Sequence, residues 1–252
     1  MNGFGPEVRI HRFLTPKKGT QIEECEDAIA MNQRRMVFAV VDGATEAFDS
    51  RGWARLFAKT WVRIDPSPLE ASDFEPFVKD LGVRLHRKWS KRKLAWYAME
   101  KSLGGSFLAF VALKCELQGD FLSWHALALG DCCLFHRTGR GICNSFPLTR
   151  SEEFGISPIL LPSLESSQRK AFNFVRHNLG SASRGDDLLI LSDAVASWFL
   201  RQHEEQITEH VELFDKLTAA DDEAGLVSFF EDLRSSQRIR NDDIAAIRIE
   251  IL

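Results

Sequence analysis

No apolar stretch in this chain of 252 residues approaches the ~20 needed to cross a bilayer as a helix, so a membrane span is not expected. No Cys-x-x-Cys pair occurs either. The five cysteines, Cys25, Cys115, Cys132, Cys133 and Cys143, are odd in number and scattered. They read as reduced packing residues, not as a disulfide framework. Basic excess is missing: the formal net charge is -4 and the pI about 6.0, which speaks against nucleic acid as a partner. The first seven residues lack the basic region and apolar core of a secretory signal, so the expected location is cytoplasmic. There is no internal repeat and no low-complexity segment.

What is present is enough apolar material, 44% of residues, to bury a sizeable core. The length fits one large domain or two small ones. The most telling stretch is Met36-Val37-Phe38-Ala39-Val40-Val41-Asp42-Gly43. An unbroken run of strand formers predicts a central strand buried on both faces. It stops at a carboxylate, which is poorly solvated at the mouth of such a strand unless something cationic meets it. Gly43 lets the backbone turn and come close to whatever Asp42 holds.

Around this strand the pattern predicts a strand over 8–14, a loop at 16–19 and an acidic cluster over 21–28. Asp49 or Ser50 is placed to cap a helix bearing Trp53, Leu56, Phe57, Trp61 and Ile64, which Asp65-Pro66-Ser67-Pro68 would stop. A second helical region is expected over 73–101, its basic segment 86–93 forming a solvated face. Strands at 106–113 and 121–129 are joined across Gln118-Gly119-Asp120 as a hairpin, and 132–136 and 142–146 continue an antiparallel meander. Residues 147–185 show no clear periodicity and read as a functional loop or a reduced flap. Residues 186–193 repeat the opening theme of a buried strand ending in an aspartate. Helices follow at 194–200, 205–217 and 222–233, and then a terminal strand at 244–251 behind Asn241-Asp242-Asp243.

Asp42, Asp131, Asp193 and Asp242 therefore each stand at the end of an apolar strand. If the strands share one sandwich, four carboxylates converge on one rim. That many negative charges cannot share a low-dielectric site without cations. Hard oxygen donors without His or Cys suit Mg²⁺ or Mn²⁺ better than Zn²⁺. Two such ions activate a water and clamp a phosphate.

In this order the motifs resemble those of the metal-dependent protein phosphatases of the 2C type. Cys25-Glu26-Asp27-Ala28 resembles the family's Glu-Asp motif and Val40-Val41-Asp42-Gly43 its Asp-Gly motif. Gly104-Gly105-Ser106 resembles the Gly-Ser/Thr-Thr element, and Leu129-Gly130-Asp131 the start of Gly-Asp-Ser-Arg. Leu189-Ile190-Leu191-Ser192-Asp193-Ala194 resembles Leu-x-Ser-Asp-Gly, and Asn241-Asp242-Asp243-Ile244 resembles Asp-Asn-Ile-Thr or Asp-Asp-Ile-Thr. The wording is similar to that of compact, stand-alone bacterial members.

The resemblance implies an α+β fold, a four-layer αββα sandwich of two antiparallel sheets flanked by helices, over a single domain of residues 1–252. It implies two Mn²⁺ or Mg²⁺ ions, with a third, weaker site. Asp42 would bridge both metals, Gly43 would ligate through its carbonyl, and Asp193 and Asp242 would complete the first shell. Glu26 and Asp27 would hold metal-bound waters, and Asp131 a third ion. Asp42 and Asp193 are thus the expected catalytic residues. The implied activity is hydrolysis of phosphoserine and phosphothreonine in a phosphoprotein, opposite a Ser/Thr kinase.

Three motifs depart from the family. Ile22 stands where many relatives carry a phosphate-gripping Arg, with Arg9, Arg12 and Arg51 as possible substitutes. Ala44 stands where many eukaryotic relatives have His, and Cys132-Cys133 replace Ser-Arg. The alternative is a catalytically weak relative that binds a phosphoprotein and regulates by occupancy. A two-metal nuclease would need a basic track that a -4 chain does not advertise.

Overall fold

The computed structural model describes residues 7–64, 69–93, 95–155, 157–207, 209–218 and 223–252. Along the chain come strands β1 (Val8–Thr15), β2 (Ala28–Asn32) and β3 (Val37–Gly43), then helices α1 (Ser50–Trp61), α2 (Ala71–Trp89) and α3 (Trp96–Leu103). Strands β4 (Phe107–Gln118), β5 (Phe121–Leu129), β6 (Cys133–Thr138), β7 (Gly141–Phe146) and the short β8 (Leu161–Pro162) follow. Next are α4 (Glu165–Phe172), β9 (Arg176–Ser183), β10 (Asp187–Leu191) and α5 (Asp193–Glu204). The described chain closes with α6 (Glu209–Thr218), α7 (Glu223–Ser235) and β11 (Ile244–Ile251).

The strands form two antiparallel sheets. One has the order β1-β11-β10-β6-β7; the other has the order β2-β3-β4-β5-β9, with β8 alongside β4. Side-chain parity along β3 shows why they stack. Phe38 and Val40 pack with Val111, Leu188, Ile190 and Ile247 between the sheets. Val37, Ala39 and Val41 point the other way, against Trp53, Phe57, Trp61 and Phe74 of α1 and α2. Phe135, Leu189 and Leu191 cover the far face of the other sheet beneath Val195, Phe199, Leu213 and Phe230. The layers are thus helix, sheet, sheet, helix, the expected four-layer α+β sandwich. Each fully buried Val, Leu or Phe contributes roughly 1.5–3 kcal/mol of transfer free energy.

Several local expectations are corrected. The antiparallel meander is broken, because β4 and β5 belong to one sheet and β6 and β7 to the other. The crossing is made at Gly130, whose φ of +89° suits glycine and whose added Cβ would lie 2.5 Å from Ala109 Cβ. The helix expected over 73–101 is two helices, interrupted between Trp89 and Trp96. The segment 161–183, read as irregular, carries β8, α4 and β9. Asp49 occupies the cap position of α1, but its carboxylate accepts from Trp89 Nε1 at 2.7 Å and makes no capping bond. The stop expected at 65–68 lies outside the described residues, as does the side chain of Cys143. Cys25, Cys115, Cys132 and Cys133 are buried free thiols. Among the described residues no helix is long and apolar enough to cross a membrane.

Candidate metal centre

Strand register brings the carboxylates to one rim. Leu191 pairs with both Ala246 and Cys133, so the end of β10, the start of β11 and the start of β6 lie at the same edge. Asp193, Asp242 and Asp131 flank those three ends. In the other sheet Val41 pairs with Ala28 and Phe110, and Phe110 pairs with Leu129, so the end of β3, the start of β2 and the end of β5 also coincide. Asp42 continues the parity of Phe38 and Val40 and so faces the space between the sheets.

Asp42, Asp131 and Asp193 each offer a ligand oxygen, and the three atoms lie within 4.8 Å of one another. They come from one sheet, the crossing between sheets, and the other sheet. Burial is the main force pushing the Asp42 carboxyl well above the ordinary carboxylate range, with Asp27, Asp193, Asp131 and Asp242 adding repulsion. Asp42 keeps some exposed surface as a residue, but its carboxylate lies deep. Burial, then Asp193, raises Asp131 to about 7. Asp193 is raised by burial but held down by Arg240 and by the backbone N–H of Ala194 at the start of α5.

Asp27 lies just ahead of β2 and is 2% exposed. The Ser192 hydroxyl hydrogen-bonds its carboxylate, yet among the described residues its Oδ2 finds no partner, and burial drives its pKa well up. A buried carboxylate oxygen without a donor is costly, and its neighbours are also carboxylates. The donor set therefore fits hard divalent cations. Glu26 is turned differently: its carboxylate accepts from the Ser50 hydroxyl and pairs with Lys17 Nζ at 3.3 Å. Asp242 is part-buried and close enough to add repulsion to Asp27, Asp42, Asp131 and Asp193. It accepts the N–H of Asp243 at 3.0 Å. At Gly43 an added Cβ would lie 2.9 Å from Glu26 O and 3.0 Å from the Ser50 backbone. Only a bare Cα lets both segments close on the strand end.

Three participants were not singled out from the sequence. Asp243, 3% exposed, accepts the backbone N–H groups of Lys17 and Glu26, each at 2.7 Å, tying the loop after β1 to the start of β11. Its place next to Asp242, directly before an apolar strand, was the available signal. Ser192 bridges Asp27 to the backbone of Ala245, whose N–H it accepts at 2.9 Å. Arg240 forms an ion pair with Asp193. The acidic rim itself called for such a cation, but its position two residues before Asp242 becomes meaningful only in three dimensions. Arg9, considered as a substitute for the phosphate-gripping Arg, pairs with Glu250 instead, and Ile22 is 42% exposed.

No family model and no curated protein matches the sequence. Solved structures do match its shape. The catalytic domain of the serine/threonine protein phosphatase PstP, in complex with 2 manganese ions, superposes at a TM-score of 0.57 with 13% identity, over 97% of this chain and 98% of that one. A bacterial serine phosphatase superposes at 0.56 with 14% identity, over 98% of each chain. PppA, described as a key regulatory component of T6SS in Pseudomonas aeruginosa, superposes at 0.52 with 16% identity, over 97% and 98%. Over nearly its whole length, the chain has the fold of the 2C-type protein phosphatases.

Proposed function

We propose that this protein is a divalent-cation-dependent phosphatase acting on phosphoserine and phosphothreonine in a phosphoprotein. The observation that carries the reading is the convergence of Asp42, Asp131 and Asp193 within 4.8 Å, drawn from both sheets. In this reading Asp42, Asp193 and Asp242 hold two Mn²⁺ or Mg²⁺ ions with the Gly43 carbonyl, and Asp131 serves a further, weaker ion. When bound, the ions supply an activated water and neutralise charge on the phosphoryl group. The protein's part is to hold the carboxylates in place, and the cations would keep them ionised. Ser192 orients Asp27, Ser50 and Lys17 orient Glu26, and Asp243 locks the loop that carries Glu26. The partners are a phosphoprotein and the kinase that marks it, in a cytoplasmic bacterial setting.

Hydrolysis of p-nitrophenyl phosphate and of a phosphothreonine peptide, with Mn²⁺ against EDTA, tests the reading. Turnover that appears with Mn²⁺ and vanishes with EDTA is expected. A second reading, a phosphoprotein-binding regulator without catalysis, is favoured by Ile22 in place of the family's Arg and by Arg240 seated on Asp193. Cation binding without turnover under any divalent ion would establish it.

A further inference from the structure

Beside the carboxylates runs a cleft of 510 Å³ between the 151–155 turn, α5 and the 237–240 loop. Ala194, Ser197, Trp198 and Arg201 line it from α5, at the i, i+3, i+4 and i+7 spacing of one helix stripe. Arg238 and Arg240 line the opposite wall. Three guanidinium groups thus share one cleft in a molecule whose net charge is -4. The one acidic lining residue, Glu152, is already paired with Arg150 at 2.7 Å. Arg201 is exposed, and among the described residues no carboxylate lies within ion-pair distance of it. Trp198 is 2% exposed, and among the described residues its Nε1 finds no acceptor. A donor-rich cleft with one carboxylate already taken fits an anionic occupant.

The cleft begins at Arg240 on Asp193 and reaches Arg201 eight residues further along α5. At 1.5 Å per helical residue that is roughly 12 Å, the span of three to four residues of extended peptide. We propose that this cleft is the docking subsite for acidic side chains of the substrate, three to four residues from the phosphorylated one. The proposal rests on the phosphatase reading for the word substrate, but its binding arm does not. Arg201 receives the acidic residues, and Arg240 stands between it and the carboxylate rim.

The test uses three phosphothreonine peptides that carry Glu, Gln or Lys at positions three and four from the phosphoresidue. Fluorescence anisotropy in EDTA reads binding; turnover with Mn²⁺ reads kcat/KM. The Glu peptide is expected to bind about tenfold tighter than the Gln peptide, an advantage that shrinks with added salt. Arg201→Glu should reverse the order so that the Lys peptide binds best, while p-nitrophenyl phosphate turnover stays at the wild-type level. Because Arg201 is exposed, the charge-swapped rescue also shows that the variant is folded. Equal affinity for the three peptides, or a Glu preference that survives Arg201→Glu, overturns the proposal. If no peptide is hydrolysed but the Glu preference and its reversal remain, the subsite stands and the phosphatase reading falls.

Discussion

Among the described residues Asp42 has no cationic side chain of its own: the forces on it are burial and four neighbouring carboxylates. Asp42→Asn removes one of the repelling charges. It should abolish Mn²⁺-dependent turnover and, in EDTA at pH 8, raise the melting temperature, since less buried charge is left uncompensated. Loss of activity with a lower melting temperature in EDTA would mean that Asp42 is structural. Asp193→Asn should likewise abolish turnover; near-normal activity at saturating Mn²⁺ would refute the ligand assignment. Away from the rim, His11 is 7% exposed and faces Arg248, Glu250, Arg9 and Asp187. Burial, then Arg248, lowers its pKa below the ordinary 6.5. The folded state thus favours neutral imidazole, so the stability His11 contributes is present above pH 6.5 and is lost as pH falls toward the lower folded value. The melting temperature of His11→Gln relative to wild type should therefore climb between pH 8 and pH 5. A pH-independent difference would show that His11 does not titrate with unfolding.

At the scale of elements, Asp243 joins three pieces of backbone that are far apart in sequence: the loop after β1, the approach to β2 and the start of β11. Two charge-assisted bonds to part-buried N–H groups, each worth ~1.5–3 kcal/mol, are lost in Asp243→Ala. Urea unfolding should show a loss of about 3 kcal/mol or more with the m value unchanged, and Mn²⁺ binding should weaken as Glu26 and its neighbours loosen. A loss below 1 kcal/mol would mean that water replaces the carboxylate. Elements were legible from the sequence in proportion to how fully they are buried. β3, β10 and β11 are covered on both faces and read as apolar runs. β9 is an edge strand, Arg-His-Asn-Leu-Gly-Ser-Ala-Ser, mostly exposed, and carries no alternation that could betray it. The split between α2 and α3 was invisible because Ser90 to Lys93 is compatible with a continuing helix.

Across the whole molecule, the cation site draws on both sheets, so an ion bound there also fastens one sheet to the other. Mn²⁺ at 100 times its dissociation constant should stabilise the fold by about 2.7 kcal/mol. In a chain of this size that corresponds to a rise of roughly 5–10 °C in melting temperature, reversed by EDTA. An unchanged midpoint would count against a metal centre in either functional reading. The identity of the four strand-end aspartates was legible in the sequence; their proximity was expected only on condition that the strands share one sandwich. It depends on β11 lying between β1 and β10 and on β6 lying beside β10, pairings that only the assembled register reveals. That same strand order governs timing during synthesis. β1 is made before, and its sheet partner β11 after, every other described strand. A ribosome-bound chain still lacking residues 242–251 carries β1 without a neighbour, Lys17 and Glu26 without Asp243, and a rim without Asp242. Such a fragment cannot assemble the acidic rim, so cation binding has to wait until residues 242–251 have left the ribosome.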